Sequence, residues 1–226
     1  AIADFCAAHG LWLHVDGAHG ASAALSPRHR HLLAGIERAD SVVWDAHKLL
    51  AVPALCTAVL YKDEARSYEA FAQEASYLFA PEREWWNLGL RTVECTRRMM
   101  STILYASLRA YGVGFFRAYV ERVFELGAAL GARIDAADDF ELATSPEANI
   151  VVFRHRPAAS LAGAALDELQ AKIRRRCLER GRWYFLTTRL CGATWLRTAL
   201  MNPLAGAAEL DGLLDEIRAT AREVLP

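Results

Sequence analysis

Two polar features interrupt otherwise apolar sequence and carry residue types that do chemistry. Asp16 closes the apolar run at 11–16, and the knot Asp45-Ala46-His47-Lys48 separates two further apolar runs within 41–60. A lysine set between would-be buried strands needs a chemical reason, because an ammonium leaves water only at high cost. One chemistry uses an acid, a histidine and a lysine together, that of pyridoxal phosphate. A carboxylate keeps the pyridine nitrogen protonated so that the ring is an electron sink, and a lysine amine carries the cofactor as a Schiff base. Burial also makes an amine lose its proton more readily, which imine formation requires.

Such residues work only if the fold brings them to one rim. The chain alternates apolar strand-like runs with helical ones: strands at 11–16, 41–45 and 56–63, and helices at 28–39 and 64–75. That alternation predicts an α/β sheet with parallel pairs, whose ligands sit beyond the carboxyl ends of the strands. Asp16 and the 45–48 knot are the polar residues that end strands. Residues 76–89, with Pro81 and Gly89, read as a loop. Two long helical patterns follow, from about 91 to 111 and from about 114 to 136. Gly112 and Gly114 separate them and place a domain boundary there, dividing the chain into 1–112 and 113–226. The second part reads as a smaller α+β unit with strands at 148–155, 182–190 and 193–200 and helices at about 160–180 and 206–223. At the start, Ile2, Phe5 and Cys6 recur at helical spacing before Gly10, so the chain opens inside an element and reads as a piece of a longer protein.

Composition narrows the function classes. With 226 residues, 54% hydrophobic and 23% charged, the chain has the makings of a folded protein with a substantial core. A formal net charge of -1 offers no basic field for nucleic acid or an anionic membrane, and Arg174-Arg175-Arg176 reads as a solvated helix face. Five scattered cysteines without CxxC spacing read as reduced thiols. No apolar run approaches the roughly 20 residues that span a bilayer, and a cytoplasmic location is expected. His14, Asp16 and His19 form His-x-Asp-x-x-His, but two or three ligands without a further partner make a weak site, and no metal is expected.

The ordered segments "HVDGA", "DAHK", "ASYLF" and "WLRTALMNP" resemble the group II pyridoxal-phosphate-dependent amino acid decarboxylases, the family of glutamate, cysteine sulfinate, aromatic amino acid and histidine decarboxylases. The "ASYLF" segment is most similar to the glutamate and cysteine sulfinate branch. The resemblance implies the C-terminal part of a fold-type I enzyme. Residues 1–112 would end the large α/β cofactor domain, and 113–226 would form the small α+β domain. It implies that Lys48 forms the Schiff base, Asp16 pairs with the pyridine nitrogen, Ala18 packs on one ring face and His47 stands beside the phosphate. It further implies that Tyr77 protonates the substrate α-carbon after carbon dioxide leaves, that Arg197 binds a substrate carboxylate, and that the whole protein is a homodimer. Two departures stand out: Asp45-Ala46 replaces the family's Asn-Pro, bringing a negative charge toward any phosphate contact there, and Gly17 and His19 replace commoner Ala and Tyr.

Plainer readings remain open for each residue. Asp16 could bind a turn, Tyr77 could pack in its loop, and Arg197, with Leu196 and Thr198 facing the other way on its strand, could form a simple salt bridge. Trp85 and Trp86 read as packing or a subunit contact. The resemblance places the other ring-stacking residue and most of the phosphate cradle upstream, so this stretch alone is expected to bind cofactor weakly. An aminotransferase or β-eliminating lyase shares the Asp and Lys logic and would yield a keto acid where a decarboxylase yields an amine. A non-catalytic remnant or interaction module would take up no cofactor.

Overall fold

The computed structural model describes residues 1–72, 86–94, 96–157 and 161–225, which form two units, Ala1–Arg117 and Ala118–Pro226. Among the described residues, no helix is long and apolar enough to cross a membrane.

The first unit opens with helix α1 (Ile2–Ala8) and strand β1 (His14–Asp16), followed by strand β2 (Ser41–Asp45), the one-turn helix α2 (Ala46–Leu49), strand β3 (Thr57–Tyr61) and helix α3 (Glu64–Ala70). The sheet order is β1-β2-β3. β1 and β2 are parallel, with Asp16 opposite Val43, whereas β3 runs antiparallel to β2, with Thr57 opposite Asp45. Among the described residues the expectation of parallel pairing therefore holds for β1 with β2 and not for β2 with β3: the chain returns after α2 through a short connection, too short for a parallel crossover. The predicted helix at 28–39 is replaced by two 3-10 turns, Arg30–Leu33 and Ile36–Arg38. Gly35 lies between them at φ 93, a left-handed conformation that no α-helix accommodates.

The long helical pattern predicted from about 91 begins later. Leu88–Arg91 is a 3-10 turn, and α4 runs Met100–Asp135, interrupted at Gly112 (φ 73, ψ 159). Thr92, Val93 and Thr96 are β-branched and weaken helix formation in the intervening segment. The first part of α4 closes a small apolar cluster of Ala46, Leu50, Val52, Cys56 and Phe116, with Met100, Leu104 and Leu108 at its margin.

In the second unit, strands β4 (Phe140–Leu142), β5 (Ile150–His155), β6 (Leu186–Leu190) and β7 (Ala193–Ala199) form an antiparallel sheet in the order β4-β5-β7-β6. Helices α5 (Gly163–Arg180) and α6 (Ala207–Val224) bury stripes at helical spacing, Leu166, Leu169, Ile173 and Cys177 on one and Leu210, Leu213, Leu214, Ile217 and Ala221 on the other. These meet Val151, Phe153 and Leu196 in one core. Gln170, fully buried on α5, accepts the His155 amide at 3.0 Å and donates to the His155 carbonyl at 2.9 Å, satisfying a strand end inside the core. α4 approaches the chain ahead of β5 so closely that a Cβ on Gly127 would lie 2.1 Å from the Ala148 carbonyl oxygen.

Candidate active site

Because β1 and β2 are adjacent and parallel, both expose their carboxyl ends at the same rim. The Asp45 amide extends that pairing by donating to the Ala18 carbonyl at 3.2 Å, which sets the turn after Asp16 beside the polar knot. The turn and the knot are thereby joined into one cluster.

Within the turn, Asp16 is exposed and its Oδ1 accepts the Ala18 amide at 3.1 Å. Asp16 does bind a turn, as its residue type favours, and only one of its carboxylate oxygens is committed in that contact. Gly17 is buried against β2. A Cβ there would stand 2.8 Å from the Ala21 Cβ and 3.0 Å from the Val43 carbonyl, so the missing side chain lets the turn lie close to the strand. Trp44 Nε1 donates to the buried Ser22 hydroxyl at 2.8 Å and ties the following 3-10 segment, Gly20–Leu25, to β2.

Asp45 ends β2 and is the hub of the knot. Its Oδ2 lies 2.7 Å from Lys48 Nζ and 3.7 Å from His47 Nε2, and its Oδ1 accepts from the Thr57 hydroxyl at 2.6 Å. Burial on its own pushes the Asp45 carboxyl up. The hydrogen bonds from Lys48 and Thr57, with the charges of Lys48 and His47, outweigh burial and hold it below the usual carboxylate range. His47 is fixed from the other side, its Nδ1 lying 3.0 Å from the Cys56 carbonyl oxygen and 3.2 Å from the Cys56 amide. Burial, seconded by the Asp45 charge, pushes the Cys56 thiol up. Lys48 keeps 38% of its side chain exposed, whereas Leu49 and Leu50 immediately after it are buried.

Four of the six residues singled out in the sequence, Asp16, Ala18, His47 and Lys48, thus converge around Asp45. Tyr77 lies outside the described residues, as does Trp85. Arg197 stands on β7 of the second unit, half-buried opposite Val152 and Leu186, and its neighbours Leu196 and Thr198 are buried. The sequence reading missed Thr57, which only the β2–β3 register reveals. It also missed the partnership of Asp45 with Lys48, although their spacing of three across a strand-to-helix turn was a usable signal. His14 is engaged elsewhere, its Nδ1 lying 2.7 Å from the Ser41 hydroxyl. A cavity of about 310 Å³ lined by Trp12, Asp40, Lys62 and Arg66 lies at the opposite end of the strands from this cluster.

The donor set fits pyridoxal phosphate: an exposed carboxylate, a partly exposed amine, two small residues between strand and turn, and an anchored imidazole, all on one rim. Comparison with known proteins points the same way. A family model described as the pyridoxal-dependent decarboxylase conserved domain matches residues 1–156. The cysteine sulfinic acid decarboxylase of Rattus norvegicus is 34% identical over 99% of this chain and 48% of its own length. Among solved structures, mouse CSAD in apo form superposes with a TM-score of 0.85 at 30% identity, covering 99% of this chain and 48% of that one. Oryza sativa TDC, solved with PLP and tryptamine, gives a TM-score of 0.88 at 26% identity, covering 100% and 47%. The chain therefore spans about half the length of the relatives it matches. With the match extending from the first residue through the whole strand-end cluster and into β5, the chain belongs to the pyridoxal-dependent decarboxylase family.

Proposed function

We propose that this chain contributes the lysine-bearing part of a pyridoxal-phosphate-dependent amino acid decarboxylase, releasing carbon dioxide and an amine. The observation that carries the reading is the continuous linkage Asp16–Ala18–Asp45–Lys48 at the common end of two parallel strands. When bound, the cofactor supplies an electron sink for the pair of electrons left on the α-carbon as carbon dioxide departs. Lys48 would carry it and Asp16 would hold a proton at its ring nitrogen. Ala18 would leave room at one ring face, and His47, fixed by Cys56, would stand near its phosphate. Tyr77 is read as the donor that returns a proton to the substrate α-carbon. Arg197 is read as the partner of a second substrate carboxylate, since its forked donors match that group. An acidic amino acid, cysteine sulfinic acid among them, is accordingly the favoured substrate class, a reading supported by the similarity to the rat enzyme.

On this reading residues 1–112 complete the large cofactor domain and 113–226 form the small domain of a cytoplasmic homodimer. The test uses the three lysines of the chain, Lys48, Lys62 and Lys172. After incubation with pyridoxal 5'-phosphate, borohydride reduction and peptide mapping, the label is expected on Lys48, with Lys48→Ala unlabelled. Label confined to Lys62 or Lys172 overturns the assignment, and a keto acid in place of an amine product overturns the reaction class.

A further inference from the structure

We propose that Asp45 is a positioning residue that latches the Lys48 amine in an ion pair, so that Lys48 meets an aldehyde only when the pair opens. The inference rests on reading Lys48 as the cofactor-bearing lysine. Three observations carry it. The carboxylate is nearly buried, 10% exposed, and cannot turn freely to water. Its two oxygens have divided tasks, Oδ1 being held by the Thr57 hydroxyl at 2.6 Å from the neighbouring strand, while Oδ2 faces Lys48 Nζ at 2.7 Å. The third observation concerns the alternative partner. His47 Nε2 is 3.7 Å from the same Oδ2, and its ring is pinned by Cys56, so it cannot close in to replace Lys48 without leaving that anchor.

The consequence is chemical. An amine attacks a carbonyl carbon with its lone pair, and an ammonium donating to a carboxylate has none to offer. Asp45 thus orients Lys48 toward the strand end while withholding its reactivity. An asparagine would keep the shape and the bond from Thr57 but release the ion pair.

The experiment measures acetylation of each lysine by limiting acetic anhydride in the full chain, with Lys62 as reference. Lys172, paired with Glu168 at 3.0 Å on the surface of α5, is a built-in control for an open ion pair. Asp45→Asn is expected to raise the relative reactivity of Lys48 about two- to five-fold at low salt, the range set by a partly exposed pair, and to leave Lys172 unchanged. Raising the ionic strength to about 0.5 M, where screening reaches only a few ångströms, should raise Lys48 reactivity in the parent and not in D45N. Thr57→Val, which frees the carboxylate to rotate, should give a smaller increase. A purely structural Asp45 predicts no salt dependence at Lys48, so that arm tests the latch in the parent even if D45N fails to fold.

Unchanged Lys48 reactivity in D45N, or a salt-independent Lys48 in the parent, overturns the latch. Either result leaves the cofactor assignment standing if pyridoxal 5'-phosphate still labels Lys48. If acetylation responds as expected but the cofactor labels another lysine, the ion pair serves no cofactor and the inference falls with the assignment.

Discussion

Acidification should weaken the second unit through a single histidine. His155 sits on the inward face of β5, 5% exposed, with its ring centroid 5.0 Å from that of Phe140. Its Nδ1 has no hydrogen-bond partner and lies 3.9 Å from Asp139 Oδ2. That carboxylate is already committed to Arg218 through a two-pronged contact, Nε to Oδ2 at 2.7 Å and Nη2 to Oδ1 at 2.9 Å. Burial pushes the imidazole pKa down from its ordinary value; the Asp139 charge opposes this, and the positive charges of Arg218 and Arg222 add to the depression. The folded state therefore refuses a proton that the unfolded chain accepts near pH 6.5. The stability contribution is complete above that pH and drains as the pH falls from there toward the depressed folded value. One proton of linkage changes stability by about 1.4 kcal/mol per pH unit, so between pH 7.5 and 5.5 the loss is bounded at about 1.4 kcal/mol. With a urea dependence of about 1–3 kcal/mol/M, the midpoint should fall by about 0.5–1.4 M. Urea titrations of the parent and His155→Phe at both pH values isolate the effect, since the phenyl ring suits the contact with Phe140 and cannot take a proton. The expected result is a clearly smaller acid-induced shift in H155F; equal shifts in the two proteins refute the reasoning.

Two further substitutions probe the site and the core. Gly17→Ala must move either Ala21 or the Val43 carbonyl, and overpacking of this kind costs about 1–3 kcal/mol; thermal denaturation should register the loss, and the yield of borohydride-fixed cofactor on Lys48 should drop with it. Leu196→Ala removes a fully buried side chain from the centre of the second core and should cost about 2–5 kcal/mol by chemical denaturation.

The sequence was most readable where one periodicity ran uninterrupted. The stripes of α5 and α6 and the alternation of β5 follow their patterns because each buries one face against a single core. The segment at 28–39 misled because its apolar spacing is helical while Gly35 takes a left-handed conformation, a local choice that a count of apolar positions overlooks. β4 escaped because three residues are too few to show alternation. At the site, Asp16, His47 and Lys48 were legible as polar residues at the ends of apolar runs. Their adjacency was not, since the pairing of β1 with β2 is a non-local fact. Thr57 was invisible for the same reason. Asp45 was read for the charge it brings toward a phosphate; its contacts with His47, Lys48 and Thr57 became visible only in the fold.

The turn that bears Lys48 has almost no stability of its own, since a four-residue helix is far shorter than any that persists in isolation. What fixes it is the apolar floor beneath: Leu49 is fully buried, and Leu50 joins Ala46, Val52, Cys56 and Phe116. Opening any part of that floor would release the lysine, the imidazole anchored on Cys56 and the carboxylate at the strand end together. The amide protons of this turn should therefore exchange with solvent in one cooperative event shared with Cys56 and Phe116, rather than by independent fraying. The mutual placement of the lysine, the imidazole and the carboxylate at this rim is thus expected to be an all-or-none property of a small foldon, held while that foldon is closed and lost as a whole when it opens.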